Sequence, residues 1–165
     1  MSYGTTLRAT LVLLAAVLMA VCFVLINPRV SQAEEARTRA NAVKIAKEYI
    51  GTPYKYGGTT YQGMDCSGLV YRVFHYRLGM TSVPRTSGDQ WKWSGAVGRV
   101  SLGDTKPGDL VFSDFDRNGS VDHVGIAAMK DGKIQQINAT RSGEKLRITP
   151  IYREYYVGTK RWLRK

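Results

Sequence analysis

The N-terminal part of the chain carries an almost unbroken apolar run from Ala9 to Ile26. A basic residue, Arg8, precedes the run, a helix-breaking proline follows it, and small residues then stand at Ser31 and Ala33. A positive start, an apolar middle and a small-x-small site is the order of a secretory signal peptide. We therefore predict that residues 1–33 are a signal peptide, cleaved after Ala33. The run also approaches the length that spans a bilayer, so an uncleaved membrane anchor is the alternative.

Beyond this run, the apolar spacing is first helical. Apolar residues recur at intervals of three and four from Glu34 to Ile50, and again from Cys66 to Leu78. This period predicts two helices, the second of which ends at Gly79. The stretch from Thr81 to Gly98 has no period, apart from a short helix predicted at Ser87–Trp91.

From Lys106 onward the pattern changes to that of strands. Asp131-Gly132 is a strong signal for a two-residue hairpin turn. The predicted strands are Asp109–Phe112, His123–Met129, Lys133–Ala139, Lys145–Ile151 and Tyr155–Leu163. Because helices come first and strands follow, we predict one α+β domain over residues 34–165, with helices packed on a central antiparallel sheet.

The net charge of the chain indicates which classes of partner it can bind. It has 24 basic and 13 acidic residues, and residues 34–165 alone keep 22 basic and 13 acidic residues, a net charge of +9. Such a field favours polyanionic surroundings. Since an exported protein meets little nucleic acid, an anionic cell-wall surface is the better partner. The alternative is that the charge only maintains solubility. Membrane contact is expected only through an uncleaved N-terminal segment, and we expect a monomer.

Cys66 is the only cysteine of residues 34–165, so it has no intramolecular disulfide partner. Asp65 precedes the second predicted helix and suits its N-cap, which places Cys66 in the first turn. Free amides and the helix dipole stabilise a thiolate there. Helical phase directs the thiol toward the apolar face that contacts the sheet. A buried, inert cysteine is the alternative reading.

Two histidines compete as the base for this thiol. His75 lies nine residues beyond Cys66 on the same helix, which turns it by half a revolution and carries it roughly 13 Å along the axis. It is therefore excluded and expected at the surface. His123 opens a strand, and its alternate neighbours Gly125 and Ala127 are small, which leaves room for a helix terminus to approach.

A third polar group follows from the hairpin. If Asp131-Gly132 form the turn, Gly125 opposes Asn138, and Asn138 is the diagonal neighbour of His123, about 7 Å away between backbones. Cysteine, histidine and an orienting amide would then meet. Thr140 lies opposite His123 and competes with Asn138, whereas Gln136 shares the face one pair further away. A shift of the turn by one residue would change this assignment.

Six segments of the sequence, taken in order, resemble the NlpC-type family of cell-wall cysteine peptidases, which have a papain-like fold. They are GTPYKYGG, DCSGLVYRVF, VPRTSGDQ, KPGDLVFS, DHVGIA and INAT. The resemblance runs from about Ile45 to the C-terminus. It implies that Cys66 is the nucleophile, His123 the base and Asn138 the third member. Family members usually carry histidine at the third position, so Asn138 is a departure, although an amide can also hold an imidazole.

The resemblance also implies the roles of further residues. Tyr54 and the amide of Cys66 would stabilise the oxyanion. Asp65 and Ser67 would hold the free amine of a stem peptide, and Arg85 would bind a substrate carboxylate. The expected reaction is hydrolysis of the amide between D-glutamate and a diamino acid in peptidoglycan stem peptides, through a thioester acyl-enzyme. Such an enzyme acts in the periplasm or at the cell wall.

Other chemistries fit less well. Asp114 to Gly119 imitates the start of a calcium loop, but the twelfth position is Gly125, where a bidentate glutamate is required. One cysteine and two histidines give no zinc cluster, so we expect neither metal nor cofactor. A cell-wall binding module that has lost catalysis, and an acyl or amide transferase on the same scaffold, remain the alternatives.

Overall fold

The computed structural model describes residues 37–164 together with Leu13, Val17 and Met19. From Arg37 onward the described residues form one compact unit. The predicted cleavage site after Ala33 lies outside the described residues, so the choice between signal peptide and anchor stays a prediction. Within the described part of the chain, no helix combines the length and the apolar character needed to cross a membrane.

Three α-helices lie in the first half of this unit. They are α1 (Arg39–Glu48), α2 (Cys66–Val70) and α3 (Ser87–Lys92). Helix α1 begins later than the predicted Glu34, because Thr38 caps it by accepting a hydrogen bond from the amide of Asn41 at 3.2 Å. Helix α3 confirms the short helix predicted at Ser87.

The second predicted helix is not α-helical throughout. After α2 the chain continues as a π-helix, Tyr71–Arg77, in which the amide of Leu78 donates to the carbonyl of Val73, five residues back. The wider turn changes the rotation per residue, so the half-turn predicted for His75 does not hold in detail.

Strands dominate the second half, as predicted. The strands are β1 (Thr59–Thr60), β2 (Gly63–Met64), β3 (Gly98–Val100), β4 (Leu110–Ser113), β5 (His123–Lys130), β6 (Lys133–Asn138), β7 (Arg147–Thr149) and β8 (Tyr156–Arg161). Strands β1 and β2 form a small separate ladder. The other six form one antiparallel sheet in the order β3-β8-β4-β5-β6-β7. Only β1, β2 and β3 were missed, and all three are two or three residues long.

The β5–β6 hairpin has the predicted register. Lys130 pairs with Lys133 across Asp131-Gly132, and the ladder continues to Ile126 opposite Ile137. A positive φ of 50° at Asp131 and 72° at Gly132 places both residues in the left-handed backbone region. A type I′ turn requires this region at both positions, and its twist matches the right-handed twist of the flanking strands.

The sheet has two different faces. Val124, Ile126 and Ala128 of β5 belong to one apolar core together with residues of the helices, such as Leu69 and Val70 of α2. Because side chains alternate along a strand, His123, Gly125 and Ala127 lie on the opposite face.

The small residues beside His123 therefore have a different purpose from the one predicted. A methyl group on Gly125 would collide with the side-chain oxygen of Gln136 and would lie 3.0 Å from its Cβ. The nearest atoms to the space above Gly125 all belong to Gln136. The side chain of Gln136 therefore occupies the space that was predicted to admit a helix terminus.

Candidate active site

Cys66 is the first residue of α2, and Asp65 caps this helix as predicted. Asp65 has extended backbone angles, φ −93° and ψ −179°, and its Oδ1 accepts a hydrogen bond from the amide of Gly68 at 2.6 Å. Gly68 is required here, because a methyl group on it would collide with the carbonyl of Gly58 and would lie 2.8 Å from Asp65 Oδ1. The DCSG segment is thus shaped by the close approach of the preceding loop.

The thiol of Cys66 lies in the protein interior, next to the sheet, as predicted from the helical phase. The residue is 9% exposed and belongs to the apolar core. Burial raises the pKa of the thiol to about 11, while the amides of Val124 and Ser67 act in the opposite direction by interacting with the sulfur. Val124 directly follows His123, so the thiol reaches the strand that begins with the predicted base.

His123 is the first residue of β5 and is 3% exposed. Its ring packs against Phe115, with 4.6 Å between the ring centroids. Burial lowers the pKa of this imidazole to about 4, and the charge of Asp122 acts in the opposite direction. Its Nε2 is buried without a hydrogen-bond partner. Both pKa shifts favour a neutral thiol and a neutral imidazole in the unliganded site.

A cleft of about 510 Å³ opens at the N-terminus of α2. It is lined by Tyr54, Tyr56, Gly57, Asp65, Cys66, Ser67, Arg85, Thr86, Ser87 and Asp122. Five residues predicted from the sequence therefore share one cleft. His123 and Asn138 are not among the lining residues. Among the described side chains, no hydrogen bond joins Cys66 to His123.

Tyr54 lies at the cleft wall, held by its backbone. Its amide donates to the carbonyl of Glu144 at 2.8 Å, and the residue forms a bridge with Met64. The pKa of its phenol is raised, first by burial and then by the negative charges that Cys66 and Asp65 can carry. The phenol therefore stays protonated near the thiol and can donate a hydrogen bond there.

Asp65, Ser67 and Arg85 form one hydrogen-bonded cluster in the cleft. The guanidinium of Arg85 binds Asp65 Oδ1 at 3.0 Å and Oδ2 at 2.9 Å, and it donates to Ser67 Oγ at 2.9 Å. Ser67 Oγ lies 3.2 Å from Asp65 Oδ1, and the amide of Gly57 donates to Oδ2 at 2.7 Å. Arg85 thus neutralises Asp65, an arrangement that the sequence reading did not foresee.

The candidates for the third member differ in their contacts. Asn138 is fully buried; its Nδ2 donates to Thr149 Oγ1 at 2.8 Å, while its Oδ1 has no partner. Thr140 lies beyond the end of β6, and its hydroxyl donates to Glu144 at 2.8 Å. The hydroxyl of Thr140 therefore binds Glu144 and not His123. Asn138 has an unpaired side-chain carbonyl on the same sheet face as His123.

Two residues near the site were missed by the sequence reading. Gln90 of α3 is buried and donates from Nε2 to the carbonyls of Ser67 at 3.1 Å and Pro84 at 2.9 Å. It thereby joins the start of α2 to the loop that carries Arg85. Asp122 lines the cleft and accepts bonds from two backbone amides. Gln90 ends the segment VPRTSGDQ and Asp122 begins DHVGIA. Both segments carry the family resemblance, which was the signal that could have found these residues.

The remaining candidates take no part in the cleft. His75 is half-buried and stacks on Tyr71, with 4.4 Å between the ring centroids, and it does not line the cleft. The carboxylate of Asp114 accepts bonds from the amides of Asn118 and Gly119 and so closes its own loop. Among the residues that the structure describes, no cluster of His, Cys, Asp or Glu side chains suits a metal ion.

Comparison with known proteins identifies the family and the fold of the chain. Residues 51–164 match the NlpC/P60 family. The chain belongs to that family. Solved members share its fold: a NlpC/P60 family protein from Bacillus cereus ATCC 10987 has a TM-score of 0.65 at 30% identity, covering 76% of this chain and 40% of that chain. The NlpC/p60 domain of the peptidoglycan hydrolase SagA has a TM-score of 0.61 at 30% identity, covering 74% and 97%. The predicted α+β fold is confirmed.

Curated relatives carry named activities. Gamma-DL-glutamyl hydrolase of Bacillus subtilis (strain 168) is 38% identical over 133 residues, 79% of this chain and 30% of the relative. Murein DD-endopeptidase MepH of Escherichia coli (strain K12) is 35% identical over 129 residues, 73% of this chain and 46% of the relative. The chain thus spans less than half the length of these two relatives.

Proposed function

We propose that this NlpC/P60 protein is a cysteine peptidase that hydrolyses the stem peptides of peptidoglycan. The observation that carries the proposal is the position of Cys66: its thiol lies at the N-terminus of α2, at the wall of a cleft, and interacts with the backbone amide that follows His123. Relatives named as a glutamyl hydrolase and a murein endopeptidase support the substrate class.

The first half of the reaction forms an acyl-enzyme. His123 takes the thiol proton as the sulfur attacks the scissile carbonyl, and the carbonyl oxygen becomes an oxyanion. The Tyr54 hydroxyl and the Cys66 amide donate hydrogen bonds to that oxyanion. When the C–N bond breaks, His123 returns the proton to the leaving amine and a thioester remains. Burial favours the neutral thiol of Cys66 and the neutral imidazole of His123. The thiol proton therefore moves to His123 only when the substrate is bound.

The second half releases the acid. His123 removes a proton from a water molecule, the resulting hydroxide attacks the thioester carbonyl, and the sulfur leaves and regains its proton. In the proposed triad the Oδ1 of Asn138 holds the imidazole, since its Nδ2 is already bound to Thr149. We assign the bond between D-glutamate and a diamino acid as the one that is cut.

The cluster of Asp65, Ser67 and Arg85 is the proposed binding site for the polar end of the stem peptide. Asp65 and Ser67 face the cleft and suit a free amine, and Arg85 is 32% exposed there and suits a carboxylate. The ion pair between Arg85 and Asp65 makes the cluster neutral, so recognition depends on hydrogen bonds more than on net charge.

Digestion of purified peptidoglycan, with the fragments identified by mass, tests the proposal. The wild-type chain should release fragments cut after D-glutamate, and both Cys66→Ala and His123→Ala should abolish their release. His75→Ala is the matched control and should digest normally. A Cys66→Ala variant that still cuts would refute the mechanism. Binding without cleavage would instead indicate a wall-binding module, and fragments joined to an added amine would indicate a transferase. We place this activity in the cell envelope, in keeping with the predicted export signal.

A further inference from the structure

Three buried polar atoms without partners lie on the sheet face that carries His123. They are Nε2 of His123, Oε1 of Gln136 and Oδ1 of Asn138. Register and alternation bring them to one side: Gln136 pairs with Ala127, and continuing the ladder places Asn138 beside Gly125. A buried imidazole N–H and two buried carbonyl oxygens are complementary, and leaving all three unpaired would be costly.

The side chain of Gln136 is aimed along the sheet toward His123. Its backbone lies opposite Ala127, yet its Oε1 occupies the space directly above Gly125, which is two residues nearer to His123. Its Nε2 donates to the carbonyl of Pro150 at 3.3 Å. That bond fixes which end of the amide is free, so the group turned toward the imidazole is an acceptor.

We propose that Gln136 is a positioning residue for His123 and that its carbonyl shares the Nε2–H of the imidazole with Asn138. Gly125 makes this hydrogen bond possible, because a larger side chain at position 125 would collide with the Gln136 amide. With the proton held on Nε2, the lone pair of Nδ1 is free to accept the proton of Cys66. The inference rests on the proposed role of His123 as the base.

The tautomer of His123 can be measured without any activity. The chain has two histidines, so a protein labelled with 15N-histidine gives two sets of imidazole signals, and a His75→Gln variant assigns them. We expect the Nε2–H tautomer for His123 in the wild type. Gln136→Met, which keeps the length of the side chain and removes its carbonyl, should give a mixture of tautomers. Gln135→Met is the matched control, because Gln135 is the neighbouring glutamine and its Nε2 donates to Lys130 instead.

Kinetics and a second variant complete the test. On a stem peptide, Gln136→Met should lower kcat by about tenfold or more, with KM little changed, because the loss acts through the base. Gln136→Glu keeps an acceptor oxygen and adds a charge, so it should restore the tautomer and move the acidic limb of the pH profile upward by about one pH unit.

The outcomes separate the two proposals. A pure Nε2–H tautomer in Gln136→Met, or an unshifted pH profile in Gln136→Glu, would overturn the role of Gln136. If Gln136→Met does not fold, the tautomer in Gln136→Glu and in Gly125→Ala decides, since the added methyl displaces the amide. A wild-type chain that shows the expected tautomer but cuts no peptidoglycan would refute the proposed function and leave the proposed hydrogen bond from His123 to Gln136 in place.

Discussion

The ion pair between Asp65 and Arg85 should contribute substantially to the stability of the domain, and Asp65→Asn tests this contribution. Asparagine caps a helix as well as aspartate does, so the substitution keeps the bond from the Gly68 amide. It removes the charge, and with it the second oxygen that accepts from the Gly57 amide. The guanidinium of Arg85 then loses a partner that it binds through two oxygens, at 2.9 and 3.0 Å.

The exposures of the two side chains set the magnitude. Asp65 is 8% exposed and Arg85 is 32% exposed. Breaking a fully buried pair costs about 3–5 kcal/mol, and solvent around Arg85 reduces this, so we expect a loss of about 2 kcal/mol. Asp65→Ala also removes the cap, which should bring the loss to about 3 kcal/mol. Either value is a large part of the roughly 5–15 kcal/mol by which a domain is stable.

Urea unfolding followed by tryptophan fluorescence measures these differences. Asp89→Asn is the matched control, because Asp89 is an exposed carboxylate in the first turn of α3 and binds the Thr86 hydroxyl at 2.7 Å. It should change the free energy of unfolding by less than about 0.5 kcal/mol. Adding Arg85→Met to Asp65→Asn should cost less stability than Arg85→Met costs in the wild type. Only the wild type has a buried carboxylate at position 65 that the loss of Arg85 leaves unpaired. The reasoning fails if Asp65→Asn destabilises the chain no more than Asp89→Asn does.

Three further predictions use the same unfolding assay. Gly68→Ala should cost about 3 kcal/mol because its methyl group meets a backbone carbonyl, whereas Gly98→Ala, with open space around it, should cost under about 1 kcal/mol. Gln90→Leu should cost about 1–3 kcal/mol and lower kcat, since it leaves the buried Ser67 carbonyl without this donor; an unchanged midpoint would contradict this. The pKa of His123 is lowered from 6.5 to about 4, so the unfolded chain binds more protons between these values. Stability should therefore fall by about 3 kcal/mol as the pH drops through that window. The variant His123→Gln should lack this part of the pH dependence, and a wild type with equal stability at pH 7 and pH 4 would refute it.

The sequence alone was sufficient for the local elements of the site. An apolar period of three to four residues located the helix that Cys66 begins, and a capping residue identified its first turn. The Asp131-Gly132 turn fixed the register of the hairpin, because a two-residue loop allows only one pairing. The same local signals failed for β3, which is three residues long and too short to show a period.

Only the tertiary structure decided how the two faces of the sheet are used. Alternation grouped His123 with Gly125, but it could not tell whether a helix or a neighbouring strand fills the space above the glycine. Gln136 fills that space, because the helices pack on the face of Val124 and Ile126. The pairing of Arg85 with Asp65 was likewise invisible, since the two residues lie twenty positions apart and are brought together by the loop that Gln90 fixes. Local sequence determines which elements form and where they end. Which side chains meet depends on how those elements pack. Their packing is determined by the volume and burial of residues that are distant from one another in the chain.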